Sequence, residues 1–173
     1  KHMSGEEILK EASLLKDLCD RYRVPLIIND RPDLAKKVGA SGVHVGLSDM
    51  GIQKARKLLG EDFIIGGSAH NVEEALAAEA AGADYLGCGA VFGSTTKTNV
   101  TQLPVETLKA ICKAVKIPVV AIGGVNSDNL PCRKRNCRSS CRQRTFQTDR
   151  QSCCRQTFSV AAKSDIAFKH IPI

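Results

Sequence analysis

Asp30 and Asp49 each follow a short apolar run, and together they offer the pair of carboxylates that Mg²⁺ takes alongside water and substrate phosphate oxygens. The same placement also suits a plainer role, in which each aspartate caps the helix that follows it. Residues 93–98 read GSTTKT, which sets the hydroxyls of Ser94, Thr95 and Thr96 beside the ammonium of Lys97 after a glycine-rich run. That combination suits a phosphate or pyrophosphate. It lacks the spacing of a P-loop, and a solvated threonine-rich loop is the alternative. Gly123 and Gly124 close another apolar run, where backbone N–H groups free of a Cβ could approach a phosphate. His44 lies within an apolar run and Ser68 and His70 just after one; taken singly, each histidine is as well suited to structure as to catalysis. Cys19 and Cys112 lie at helix-face positions and Cys88 reads as a small core residue, so thiol chemistry is not expected.

These residues recur about every twenty positions, which is the period of one strand plus one helix. Ser4 and Glu7 form a capping box ahead of an apolar stripe through Ile8, Leu9, Ala12, Leu15, Leu18 and Cys19. Strands are predicted over 24–28, 42–45, 63–66, 85–91 and 118–122, with helices over 33–38, 51–59, 72–81 and 104–115. The strands are continuously apolar, as buried parallel strands are. Strict alternation with short connections predicts a parallel sheet with right-handed crossovers. In a (β/α)₈ TIM barrel the C-terminal ends of all strands open on one face, so residues scattered along the chain would converge. A complete barrel takes about 250 residues. The 173 residues here predict an incomplete one, with about five βα units.

The formal charge of +7 is unevenly spread. Residues 1–130 carry 15 Lys+Arg against 16 Asp+Glu, whereas residues 131–173 carry 10 against 2. Five of the eight cysteines crowd between Cys132 and Cys154. No apolar stretch approaches the roughly 20 residues of a membrane span, and no signal-peptide pattern opens the sequence. Residues 1–130 therefore read as a cytoplasmic, reduced domain with no membrane partner.

Five segments together carry a family resemblance: LIINDR at 26–31, GVHVGLSD at 42–49, GSAHN at 67–71, FGSTTK at 92–97 and AIGG at 121–124. In unbroken order over residues 1–130, they resemble thiamine-phosphate synthase. The resemblance implies strands 3–7 of a TIM barrel that joins a pyrimidine diphosphate to a thiazole phosphate and releases pyrophosphate. It implies Mg²⁺ held by Asp30 and Asp49. It further implies that Asn29, Ser94, Thr96 and Lys97 contact the diphosphate, that His44 and Ser68 lie near the pyrimidine, and that Gly124 helps to seat the thiazole phosphate. Charge developing on the departing oxygen would be stabilised by Lys97 and Mg²⁺, and no general base or covalent nucleophile would be needed.

The sequence departs from the family pattern at three places. Gly93 and Ser94 stand where the family usually has Pro-Thr, keeping the hydroxyl but loosening the loop. The family's first two strands are not represented, and Lys1 matches the last residue of a Gln-x-Arg-Glu-Lys motif whose glutamine and arginine would hold substrate. A tag remnant is the rival reading of Lys1, His2 and Met3. After Pro131 the pattern gives way to a Cys/Arg-rich tail. A cysteine codon read one base forward encodes only Ala or Val, and with permitted codons residues 132–150 become a segment containing Val-Val-Ser-Ala, the family's last phosphate strand. Residues 131–173 therefore read as an out-of-frame tail, expected to be disordered. Such a barrel would leave sheet edges uncovered, which favours a homo-oligomer.

Two other functions fit the sequence less well. A thiazole tautomerase shares the fold and a strand-end histidine like His70, but needs neither the Asp30/Asp49 pair nor Thr96 and Lys97. A nucleic-acid-binding tail lacks aromatic residues interleaved with its arginines, and a zinc site lacks paired Cys-x-x-Cys spacing, so neither partner is expected.

Overall fold

The structure, a computed structural model, describes residues 4–46, 51–92, 102–124, 145–146 and 158–160. Helix α1 (Gly5–Arg21) begins at the expected capping box. The Glu7 amide donates to Ser4 Oγ at 3.3 Å, and the Ser4 amide donates to the Glu7 carboxylate at 2.7 Å. Two of the first-turn N–H groups that a helix leaves unpaired are thereby satisfied. Ile8, Ala12 and Cys19 are buried, whereas Leu9 and Leu18 of the anticipated stripe stay exposed. The helix packs against α2 (Pro32–Val38), and only part of its apolar side is covered.

Alternation then proceeds as expected: β1 (Ile27–Asn29), α2, β2 (Gly42–Val45), α3 (Ile52–Leu59), β3 (Ile64–Ser68), α4 (Val72–Ala80), β4 (Tyr85–Gly89), α5 (Val105–Ala114) and β5 (Val119–Ile122). The five strands are parallel and pair in chain order. They form an incomplete α/β barrel. Proline at the first position of α2 fits a helix start, because its missing N–H would have had no helical partner. Gly39, at φ 64°, ends that helix in the left-handed conformation.

Two elements were not anticipated. Short strands β6 (Thr145–Phe146) and β7 (Phe158–Val160) extend the sheet, β7 running parallel to β5 and antiparallel to β6. Each contains β-branched and aromatic residues, Thr145 and Phe146 in β6 and Phe158 and Val160 in β7, and is too short to show a period. The remainder of the anticipated tail lies outside the described residues. Among the described residues, β1 pairs only with β2.

The two faces of the sheet differ in chemistry. Ile28, Val43, Val45, Ile65, Leu86, Cys88, Val119 and Ala121 point towards the helices and join one buried cluster with Ala35, Ala55, Ala75, Ala78, Leu108 and Ile111. Burying each large aliphatic side chain there contributes about 1.5–3 kcal/mol. The alternate positions belong to the inner face, and register sets Asn29, His44, Gly66 and Tyr85 side by side across four strands. One step on, Ser68 lies opposite Gly87, which lies opposite Val120. The inner face therefore sets Asn29, His44, Ser68 and Tyr85 among glycines and aliphatic residues, where the outer face is uniformly apolar.

Candidate active site

At the C-terminal end of β1 the chain turns through Asp30, whose φ of 54° is in the left-handed region that aspartate tolerates better than most residues. The turn is fixed from both sides. The Asp30 amide donates to the His44 carbonyl at 2.8 Å, and its carboxylate accepts from the Gly46 amide at 3.2 Å. The Asn29 side-chain amide donates to the other carboxylate oxygen of Asp30. This ties the end of β1 to the segment that leads into residues 47–50, where Asp49 lies outside the described residues. Beyond the turn, Arg31 pairs with Asp33, and that hydrogen bond holds the Asp33 carboxyl well below the usual range, at about 2.

His44 sits at the centre of the inner face. Its Nε2 lies 3.1 Å from Ser68 Oγ, and its Nδ1 lies 3.1 Å from the Tyr85 hydroxyl. Residues 24 and 41 positions apart in sequence thus meet through one imidazole. Two glycines make the room. A Cβ at Gly66 would fall 2.2 Å from the Tyr85 ring, and one at Gly87 would fall 2.9 Å from His44 Cε1. Gly66→Ala should displace the Tyr85 ring and lower stability by about 1–3 kcal/mol. The urea midpoint reads this, and an unshifted midpoint would refute the packing described.

The sequence prediction ended this strand at Gly66, but β3 runs on to Ser68. Glycine is a weak strand former, yet here only glycine fits under the aromatic ring. Tyr85 itself was not among the anticipated site residues. Its available signal was its inward position at the start of a strand, opposite the Gly66-Gly67 pair. Burial pushes its phenol pKa upward, so the hydroxyl remains protonated.

After β5, Gly123 and Gly124 both have positive φ, 92° and 65°, a conformation that favours glycine. The Gly123 carbonyl accepts from the Phe92 amide at 3.0 Å, which joins this turn to the end of the segment after β4. Of the anticipated site residues, Asn29 and Asp30 come together, as do His44 and Ser68. Gly124 lies at the end of β5, two strands beyond Ser68. Lys1, Asp49, Ser94, Thr96 and Lys97 lie outside the described residues. His70 is exposed, its ring nitrogen 3.1 Å from the Glu74 carboxylate. Cys19, Cys88 and Cys112 are buried free thiols, and burial pushes Cys88 and Cys112 up to about 12, which suppresses the thiolate.

The donors at the mouth of β1 are oxygens, from the Asn29 carboxamide and the Asp30 carboxylate, and this fits a hard cation such as Mg²⁺. Among the described residues no group of three or more His, Cys, Asp or Glu gathers. Mg²⁺ requires none, since it is usually held by one or two carboxylates with substrate phosphates and water.

A family model described as thiamine monophosphate synthase matches residues 1–138. The chain is 50% identical over 130 residues to the thiamine-phosphate synthase of Fusobacterium nucleatum, covering 75% of this chain and 63% of that protein. It is 52% identical over 129 residues to the thiamine-phosphate synthase of Clostridium acetobutylicum, covering 75% and 61%. The solved thiamine phosphate pyrophosphorylase of Pyrococcus furiosus aligns with a TM-score of 0.68 at 42% identity, over 75% of this chain and 62% of that one. The chain spans about three fifths of the length of these relatives. With a family model over most of its length and relatives at about half identity, this chain belongs to the thiamine monophosphate synthase family.

Proposed function

We propose that this chain carries the site of a thiamine-phosphate synthase, a transferase that joins a pyrimidine diphosphate to a thiazole phosphate. The observation that carries this reading is the convergence of Asn29, Asp30, His44 and Ser68 at one end of a parallel sheet. In this reading Asp30 and Asp49 hold Mg²⁺, which when bound supplies positive charge to the diphosphate oxygens. Asn29, Ser94, Thr96 and Lys97 grip the diphosphate, and Gly124 offers backbone to the thiazole phosphate. His44 and Ser68 form the polar wall against the pyrimidine.

The reaction then asks little acid–base work of the protein. The bond between the pyrimidine's methylene carbon and the diphosphate oxygen breaks, and the electron pair leaves on pyrophosphate. The thiazole nitrogen donates its lone pair to that carbon, forming the new C–N bond. Lys97 offsets charge as it builds on the departing oxygen. The inner-face glycines Gly66 and Gly87 make the room that the Tyr85 and His44 rings occupy.

Among the described residues no helix is long and apolar enough to cross a membrane. Three buried free thiols fit a reducing, cytoplasmic setting. The test is direct. The full chain is titrated with inorganic pyrophosphate with and without Mg²⁺, then assayed for pyrophosphate release from the two substrates. Mg²⁺-dependent binding and turnover are expected; absence of both at millimolar ligand would overturn the reading.

A further inference from the structure

Most of the exposed large apolar side chains lie where solvent commonly meets them: leucines on the helices, Tyr22 just after α1, and Ile64 at the N-terminal end of β3. Scattered apolar residues of that kind need no explanation. Ile122 is different. It is 43% exposed although it ends β5 on the inner face, opposite Gly89. Among the described residues it is the exposed large apolar side chain that stands at the C-terminal end of a strand.

Its surroundings hold it there. A Cβ at Gly87 would fall 2.9 Å from His44 Cε1 and 3.0 Å from Ile122 Cδ1, so the imidazole and the tip of the isoleucine lean together over the bare backbone of β4. Ser68 lies opposite Gly87 on the other flank. The Ile122 carbonyl accepts from the Val91 amide at 2.9 Å, and a Cβ at Gly89 would fall 2.4 Å from that same oxygen. The ends of β4 and β5 are thus closely joined. Isoleucine branches at Cβ and is stiff about χ1. An apolar surface is therefore held with little freedom beside the 3.1 Å contact of His44 and Ser68. Sites for small organic ligands have this composition, apolar walls with a few placed polar groups.

We propose that Ile122 is a specificity-determining residue, whose exposed side chain packs on the face of the ring of the diphosphate substrate and separates a ring-bearing diphosphate from a ringless one. This assignment rests on the synthase reading above. Cations and hydrogen-bond donors that grip a diphosphate cannot recognise what it is attached to. The ring has to be read by another contact, and an aliphatic side chain reads it through the water that both surfaces shed.

The experiment labels the isoleucine δ1 methyls of the full chain with ¹³C. The chain is titrated, without thiazole phosphate, with the pyrimidine diphosphate and separately with inorganic pyrophosphate, both with Mg²⁺. The Ile122 signal is assigned by its loss in Ile122→Val. The pyrimidine diphosphate should move that methyl upfield through the ring current of the bound ring, whereas pyrophosphate, which has no ring, should leave it nearly in place. Ile122→Ala should weaken the pyrimidine diphosphate about thirtyfold and pyrophosphate by no more than about twofold, since even one methylene in an apolar contact is worth about tenfold. The retained pyrophosphate affinity shows that the variant is folded.

Binding of the pyrimidine diphosphate with an unmoved Ile122 methyl, or equal losses for the two ligands in Ile122→Ala, overturns the assignment and leaves the synthase reading standing. If the pyrimidine diphosphate does not bind the unaltered chain at all, the synthase reading fails and the assignment falls with it.

Discussion

Asp30→Asn should reduce turnover about a thousandfold while leaving the fold intact. Asparagine is nearly isosteric with aspartate, and both tolerate the left-handed backbone, here φ 54°, better than other side chains. An asparagine carbonyl can still accept from the Gly46 amide, which Asp30 holds at 3.2 Å. What disappears is the negative charge at the mouth of β1, with the acceptor of the Asn29 side-chain amide, and hence the charge that would hold a divalent cation against a diphosphate. Electrostatic support of a leaving diphosphate is worth several kcal/mol, and about 4 kcal/mol corresponds to about a thousandfold in rate. Initial rates at saturating Mg²⁺ and titration with Mg-pyrophosphate give two readings of the same loss. Circular dichroism and a urea melt should match those of the unaltered chain. Turnover within threefold of normal would refute the role assigned to Asp30. Asp30→Ala is the harsher variant, because alanine loses the turn's acceptor and pays for the positive φ as well.

The order of elements was legible because each strand is an apolar run between amphipathic helices. That pattern survives errors of a few residues at the boundaries. The Ser4–Glu7 capping box was legible for a similar reason, since both partners lie within four residues. His44 and Ser68 were legible as members of the site only through the resemblance of whole motifs. Nothing local in the sequence says that Nε2 of one meets Oγ of the other 24 residues away. Tyr85 was hidden more thoroughly. A tyrosine opening an apolar strand reads as core, and its place beside His44 depends on the inward phase of the strand and on the space left by Gly66, which are properties of neighbouring strands. The extension of β3 beyond Gly66, through Gly67 to Ser68, was obscured by propensity, which tertiary packing overrode. Charged pairs far apart in sequence carry no periodic signal at all, and the clearest case lies at the other end of the barrel.

Arg56→Ala should destabilise the chain by about 2–4 kcal/mol, although Arg56 lies on α3 and far from any strand's C-terminal end. Its guanidinium, only 15% exposed, draws together two loops that feed the N-terminal ends of the strands. One terminal nitrogen donates to the carbonyls of Gly60, Glu61 and Phe63, at 3.1, 3.4 and 2.7 Å. The other donates to the Gly82 carbonyl at 3.0 Å and to the Asp84 carboxylate at 2.7 Å. The same Asp84 oxygen accepts from the Ile65 amide at 2.7 Å, while the Asp84 amide donates to the Ile65 carbonyl at 2.7 Å. One cation therefore fixes the entry to β3 and, through Asp84, the entry to β4. Truncation leaves several carbonyls and a carboxylate without their donor. Each neutral bond is worth about 1 kcal/mol net, and bonds to a charged group more, but half-exposed Asp84 would recover part of its loss from water. Lysine offers a single nitrogen and cannot span both loops, so Arg56→Lys should regain less than half of the loss. The urea midpoint should fall with an unchanged slope, which marks lost stability rather than a changed unfolding transition. A midpoint within 0.5 kcal/mol of the unaltered chain, by the scale expected of surface substitutions, would show the clamp to be ornamental. Residues at this end of the sheet set how firmly β3 and β4 are held, and therefore how well Tyr85, next to Asp84 at the start of β4, and Ser68, at the far end of β3, keep their places against His44.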